Sequence, residues 1–504
     1  MEGGHGLIRK IQLTLQTGSL VASFMCWVLI SSLMTYIQTD ISLTPNQSTW
    51  VIAIPVILGS ILRIPVGFLT NRFGARMLFV ISFIALIVPI WYLSISDSFL
   101  DLMISGLFLG IGGATFSIGV TSLPKYYPKE KHGTINGVYG VGNMGTAFTT
   151  FGAPILANTM GWRAAIYWYL VLVAVFAILN FILGDKQETK VNKSIKEQFS
   201  KVSHNEKLWF LSLFYFITFG SFVAFTVYLP NFFVNQFDLD KVDAGLRTAG
   251  FIVLATLLRP VGGILSDKLN PFVVLMFVFG GLTISGILLS FNLSMVLFTI
   301  GCLAVAVFSG IGSGAVFKLV PQYFSKQSGI VNGIVAAAGG LGGFFPPLML
   351  TSLYGLTGHY SIGFMALSEA ALASLVIVFW MFFQAKIQLS KDIIDSTADA
   401  VMVTNNKSII VSVNHAFTQV TGYSQDEVLG KTPNILSSGQ HGHTFYESFW
   451  KELLEKEQWQ GEITNKHADG HLFQEWLTVS AIKDDQDVVK NYVAIFSDIS
   501  KKKE

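Results

Sequence analysis

The chain has 504 residues, 52% of them hydrophobic and 13% charged, with a formal net charge of +2. A soluble globular domain carries about 25% charged residues, so the composition excludes an ordinary soluble protein and indicates a membrane-embedded one. The near-neutral balance is uninformative about partners beyond the lipid bilayer, and no nucleic acid is expected.

At the N-terminus, MEGGHGLIRKIQL places basic residues before an apolar run. That run continues to about Ile37 without a small-residue cleavage pattern, so it reads as a first transmembrane helix and not as a secretory signal. Crossing a ~30 Å hydrocarbon core takes about 20 apolar residues. Stretches of that kind occur at 12–37, 49–70, 77–96, 99–123, 133–157, 162–184, 208–234, 245–265, 272–292, 294–317, 329–354 and 361–384, predicting twelve spans. The two cysteines, Cys26 and Cys302, fall inside these stretches, so no disulfide framework is implied.

Basic residues collect in alternate loops: Arg72 and Arg76, then Lys125, Lys129 and Lys131, then the loop DKQETKVNKSIKEQFSKVSHNEK. By the positive-inside rule both termini are expected in the cytoplasm. The expected organisation is an N-terminal six-helix half (1–184), a cytoplasmic linker (185–207), a C-terminal six-helix half (208–386) and a further domain over 391–504.

The halves repeat. Arg63 in SILRIPVGFLTNR and Arg259 in LLRPVGGILSDK are 196 positions apart, and Gly67 with Gly263, Asn71 with Asp267 and Arg72 with Lys268 keep that offset. Nine residues of helix separate each arginine from the basic end of its span, a rise of about 13 Å that reaches the middle of the bilayer. A charged side chain at that depth costs about 2.5–3.5 kcal/mol on insertion scales and marks a functional site by default. Two of them in equivalent repeat positions predict one shared site between the halves. Spans one to eleven contain no central Asp or Glu to neutralise them. Glu369, the single central acid, lies in the last span, where a structural or lipid-edge role is expected. Lys318, near a helix end, is expected to snorkel to the interface.

After Lys386 the chain turns polar. AVMVTN, SIIVSVN, EWLTVSAI and YVAIFSDI alternate like strands, whereas HAFTQVTGY and TFYESFWKELLEKE look helical, so a small α+β domain is expected.

Several motifs resemble known families. GFLTNRFGAR, with a weaker copy in GILSDK, resembles the loop motif between helices 2 and 3 of the major facilitator superfamily, although Asn71 stands where that motif carries an aspartate. GIGGATFSIGVTSLPKYYPKEKHGTINGVYGVGNMGTAF resembles the signature of the nitrate/nitrite porter family and recurs in degenerate form as GIGSGAVFKLVPQYFSKQSGIVNGIVAAAGGLGGFFPP. The resemblance implies a fold of twelve helices in two pseudo-symmetric halves that moves nitrate or nitrite by rocking about a central site. It further implies that aromatics of helices 4 and 7, here Phe116, Tyr215 and Phe219, sandwich the planar anion.

The chemistry of such an anion points to the two arginines as well. Nitrate cannot be neutralised by protonation at physiological pH, so its site needs fixed charge and planar donors. A guanidinium supplies both, as a lysine ammonium does not. Arg63 and Arg259 are therefore the expected anion ligands, with Asn143 as an added amide donor. The glycines of helices 5 and 11 are expected to let helices approach and slide.

The C-terminal segment, from IIDSTADAVMVTNN to NYVAIFSDIS, resembles a PAS domain over its full length. No cysteine lies near Asn434, which excludes photochemistry by a flavin thioadduct. TPNILSSGQH and EWLTVSAI resemble PAS domains that hold FAD as a redox sensor, which would place Trp476 near such a flavin. Beyond the PAS segment the sequence runs to ISKKKE, so its output is expected to act on the membrane part, on a partner or through a PAS-mediated homodimer. The expected protein is a non-enzymatic, multi-pass nitrate/nitrite transporter modulated by a PAS sensor. Two other readings stay open here: transport of another small anion, and an anion sensor that signals through the PAS domain.

Overall fold

The structure, a computed structural model, describes residues 2–190, 195–239, 241–291, 293–357, 361–484 and 487–500. The chain divides into two units, Met1–Trp380 and Met381–Glu504. Of the linker expected at 185–207, residues 191–194 lie outside the described residues.

The first unit is helical. Its N-terminal half comprises α1 (Glu2–Trp27), α2 (Leu29–Asp40), α3 (Pro45–Phe73), α4 (Ala75–Ser94), α5 (Phe99–Ala114), α6 (Phe116–Ser122), α7 (His132–Gly140), α8 (Met144–Met160) and α9 (Trp162–Leu183). A linker helix, α10 (Ile195–Ser203), precedes α11 (Glu206–Phe237), α12 (Lys241–Lys268), α13 (Pro271–Leu289), α14 (Met295–Tyr323), α15 (Ser328–Thr357) and α16 (Ser361–Ser396), whose residues from Met381 onward belong to the second unit. Helices suit a bilayer because each satisfies its own backbone hydrogen bonds. Local signals set their ends: Thr44 and Gln47 form a capping box on α3, and Ser98 and Asp101 another on α5. Gly74, at φ 87°, makes the sharp turn between α3 and α4 that a residue with a Cβ resists.

Among the described residues, ten helical segments are long and apolar enough to cross a membrane. The other two expected spans differ in form. The stretch 133–157 is not one helix, because a 3-10 turn at Val141–Asn143 separates α7 from α8. Its cause is the run of glycines around that point, which weakens helix propensity and permits the tighter turn. The stretch 329–354 belongs to α15, where the described side chains give an apolar helix over Ser328–Phe344. Apolar side chains such as Val88, Ile178 and Ile284 face outward. Small polar groups pair inside instead, as in Ser23 with Thr115 at 2.7 Å and Asn180 with Ser19 at 2.7 Å.

The two halves meet at matching glycine seams. A Cβ on Gly67 of α3 would lie 2.6 Å from the Gly329 carbonyl oxygen of α15, and one on Gly133 of α7 would lie 2.6 Å from that of Gly263 on α12. The sequence offset of 196 relates the two pairs, so one close approach is built twice. Small residues permit this contact, and packing then replaces a hydrophobic force that lipid does not supply.

The second unit carries an antiparallel five-stranded sheet in the order β2-β1-β5-β4-β3. Its strands are β1 (Ala400–Asn405), β2 (Ile410–Val413), β3 (Gln458–Lys466), β4 (Leu472–Lys483) and β5 (Val489–Asp498), with α17 (His415–Thr421), α18 (Gln425–Val428) and α19 (His443–Lys456) between β2 and β3. Phe417, Leu436, Leu453, Trp459 and Phe496 form part of its core. Asn414 joins several parts: its Oδ1 accepts from Val401 N and Phe417 N, and its Nδ2 donates to Ile394 O at the end of α16. Strand β3, QWQGEITNK, went unrecognised in the sequence because its outward positions are polar.

Candidate functional site

Arg63 on α3 and Arg259 on α12 are fully buried, at 0% and 2% exposure. Their heads converge. The Arg63 Cζ lies 5.5 Å from the Phe116 ring centroid and 5.2 Å from that of Phe219. Arg259 Cζ lies 5.2 and 5.3 Å from the same two rings. Ring faces attract cations electrostatically, most strongly when both are desolvated. The aromatic pair thus holds two like charges together where water cannot screen them.

Backbone geometry prepares the site. A break at Thr115 separates α5 from α6, and the Gly113 carbonyl, in the last turn of α5, accepts from Arg63 Nε at 3.0 Å. Carbonyls of a last helical turn lack intrahelical partners and are free to do this. Arg63 Nη1 donates to Ala336 O of α15 at 2.7 Å, so one guanidinium is held by both halves. Arg259 Nη2 donates to the Tyr215 hydroxyl at 3.0 Å. That leaves Arg63 Nη2 and Arg259 Nε and Nη1 buried without a hydrogen-bond partner. Among the described residues neither arginine forms an ion pair with a carboxylate. Buried charge without a counter-charge or filled donors is costly. Chemically, the arrangement suits an anion.

Phe116, Tyr215 and Phe219 are brought together as a stack. Tyr215 and Phe219, one turn apart on α11, have centroids 5.0 Å apart and planes within 1°. Phe116 faces them at 6.2 and 6.1 Å, tilted by 16° and 17°. Two van der Waals gaps take about 7 Å, so a flat ion enters between these rings only if they part by about 1 Å. Asn143 ends the 3-10 turn between α7 and α8, is fully buried, and has neither amide atom hydrogen-bonded. Gly140, three residues before it, lies against Arg259 Nε.

Sequence reasoning missed three neighbours. Trp27 lies 5.8 Å from Arg63 Cζ, Tyr139 packs 5.8 Å from Phe116 and donates to Thr115 O, and Phe317 meets Tyr215 edge-on at 4.8 Å. Phe317 was findable, since GAVF in the second half repeats the GATF that contains Phe116. Trp27 carried no such signal.

Lys318 corrects an expectation. It does not snorkel outward: its Nζ reaches Asp267 Oδ1 at 2.6 Å and the Lys129 carbonyl at 2.9 Å. Asp267 also accepts from Gly133 N at 3.0 Å and from Thr134 N at 2.6 Å, at the start of α7. The cluster therefore ties the C-terminal half to the N-terminal half beside the glycine seam. Glu369 is exposed on the outer surface of α16.

Trp476 is a second correction. On β4 it points away from the inner face and is 45% exposed, whereas its neighbours Glu475 and Leu477 point inward. Strand alternation decides this. Trp476 accordingly does not line the internal cavity of the second unit.

Comparison with known proteins agrees with this fold. Residues 17–347 match the Major Facilitator Superfamily, and residues 398–501 match a PAS domain. The chain is 64% identical over 380 residues to a Bacillus subtilis protein named "Nitrite extrusion protein", covering 75% of this chain and 96% of that one. It is 53% identical over 365 residues to a Staphylococcus epidermidis protein named "Probable nitrate transporter NarT", covering 72% and 94%. The crystal structure of the human organic anion transporter MFSD10 shares the fold, with a TM-score of 0.60 at 15% identity over 73% of this chain and 99% of that one. The chain thus belongs to the Major Facilitator Superfamily, in the group of these nitrate- and nitrite-named relatives, and carries a C-terminal PAS domain.

Proposed function

We propose that this chain is a secondary transporter that moves nitrate and nitrite across the cytoplasmic membrane. The observation that carries the reading is the pair of buried guanidiniums with three unpartnered nitrogens against shared aromatic rings. The names of relatives at 64% and 53% identity give the same substrate class. Arg63, Arg259 and Asn143 would donate to the anion, and Phe116, Tyr215 and Phe219 would bound it. Anion binding would offset the repulsion between the guanidiniums and permit the halves to close around it. Exchange of one anion for another is favoured over proton symport, because the described residues offer no carboxylate paired with either arginine to carry the proton.

Basic loops at Arg72, Arg76, Lys125, Lys129 and Lys131 support termini on the cytoplasmic side. The PAS unit would then modulate transport from the cytoplasm. Uptake of labelled nitrate into proteoliposomes, with and without internal nitrite and across an imposed pH gradient, tests the reading. Stimulation by internal nitrite without dependence on the gradient is the expected result. Preferred competition by an organic acid or a phosphate ester would overturn the substrate assignment. Cutting the chain before residue 391 should change flux or its response to redox state.

A further inference from the structure

The turn that joins β3 to β4 reads His467-Ala468-Asp469-Gly470-His471. Its three metal-ligating side chains converge. His467 Nδ1 and His471 Nδ1 lie 2.9 and 2.6 Å from the same Asp469 Oδ1, and one donor atom from each residue falls within 4.8 Å of those of the other two. The two imidazole rings stack, with centroids 4.4 Å apart and planes at 23°.

Backbone contacts hold the turn in this form. His467 N donates to His471 O at 2.9 Å, Gly470 N donates to His467 O at 2.9 Å, and Gly470 takes φ 99°, which a residue with a Cβ resists. Ala468 N donates to Thr421 O at 2.9 Å and so ties the turn to the end of α17. Gly422 beside it makes room for the His467 ring, against whose Cε1 a Cβ at that position would press. His467 is therefore partly buried and fixed, while Asp469 and His471 stay exposed to ions from solution.

The Asp469 N–H points at His467 Nδ1 at 3.3 Å, which favours the tautomer with a lone pair on that nitrogen, the form a metal needs. In that tautomer Nδ1 and Asp469 Oδ1 meet lone pair to lone pair, and a cation between them turns repulsion into coordination. Two imidazole nitrogens and one carboxylate oxygen suit a first-row transition ion, whereas calcium and magnesium take oxygen donors. Around zinc, bonds of about 2.0–2.2 Å place tetrahedral donors about 3.3 Å apart, a spacing that small rotations of the exposed side chains reach.

We propose that His467, Asp469 and His471 form a site for a zinc-type divalent ion, held by both Nδ1 atoms and the Asp469 carboxylate, with the remaining position left to water. The ion braces the turn between β3 and β4. The site stands independently of the transport reading.

The test uses the full-length protein in detergent, purified without a polyhistidine tag, with Zn²⁺ followed by calorimetry and Co²⁺ by its visible absorption. One saturable ion per chain is expected. His471→Ala and Asp469→Asn, both at exposed positions, should each weaken binding at least about 10-fold. His443→Ala, which removes the exposed His443–Glu447 pair on α19, should leave it unchanged. Absence of saturable binding would overturn the proposal. So would binding indifferent to His471→Ala or to Asp469→Asn, or displacement of Co²⁺ by Ca²⁺ as readily as by Zn²⁺.

Discussion

Arg63 and Arg259 share the rings of Phe116 and Phe219, each guanidinium carbon lying 5.2–5.5 Å from both centroids. Two repeats thus contribute one cation each to a single aromatic surface. Their remaining partners differ, since Arg63 is anchored to the carbonyls of Gly113 and Ala336 and Arg259 to the Tyr215 hydroxyl. The repeat is symmetric in charge but not in anchoring.

Substituting either arginine by lysine keeps the charge and removes the planar fork. Charge-assisted hydrogen bonds are worth about 1.5–3 kcal/mol, so Arg63→Lys and Arg259→Lys should each weaken nitrate binding about 10- to 100-fold. Uptake kinetics in proteoliposomes check this. Wild-type affinity in both variants would remove the arginines from the site.

The glycine seams predict paired effects. Gly67→Ala and Gly133→Ala each place a methyl 2.6 Å from a backbone oxygen of the facing half. Overpacking of this kind costs about 1–3 kcal/mol. Both variants should melt earlier in detergent and transport more slowly, to similar extents. A large effect in one and none in the other would show that the seams are not equivalent.

Asp267 and Lys318 form an ion pair with 9% and 16% side-chain exposure. Asp267→Asn strands the lysine, and Lys318→Met strands the carboxylate, so each single change should destabilise the closed seam. The double variant should recover part of the loss, with a coupling of about 0.5–3 kcal/mol. Thermal melts and uptake of all four proteins provide the cycle. Strict additivity would mean that the pair does not hold the halves together.

Glu475 gives the PAS unit a pH dependence. Its carboxyl moves from an ordinary value near 4.5 to about 8 because burial disfavours the charged form. Between those values the folded protein keeps a proton that the unfolded chain has released. Its contribution to stability is therefore fully present below about pH 4.5 and is lost as pH rises towards 8, by up to about 1.4 kcal/mol per unit. Glu475→Gln should flatten that slope. Hydrogen exchange of β4 in the full-length protein between pH 5 and 9 measures it, and identical profiles for the two proteins would contradict the burial effect.

Much of this was legible in the sequence because hydropathy acts over whole segments. Apolar length located the membrane helices, and the offset of 196 identified Arg63 and Arg259 as a pair before any contact was known. Motif position then named Phe116, Tyr215 and Phe219, which do stack together. Local exceptions were less legible. The 3-10 turn that carries Asn143 depends on a few glycines within an otherwise apolar run, and the outward direction of Trp476 depends on strand register.

By itself, the sequence determined a duplicated helical membrane unit, a C-terminal PAS domain and two mid-membrane arginines, because hydrophobic length, repeat offset and charge depth are properties of the chain read in one dimension. Only the tertiary structure decided that both arginines meet the same rings, that Lys318 turns inward to Asp267, and that Glu475 faces a cavity while Trp476 faces out. Those outcomes depend on which helix or strand face lies against which neighbour. Pairing between residues as distant as Arg63 and Ala336 is set by packing across the two halves, and no local pattern encodes it.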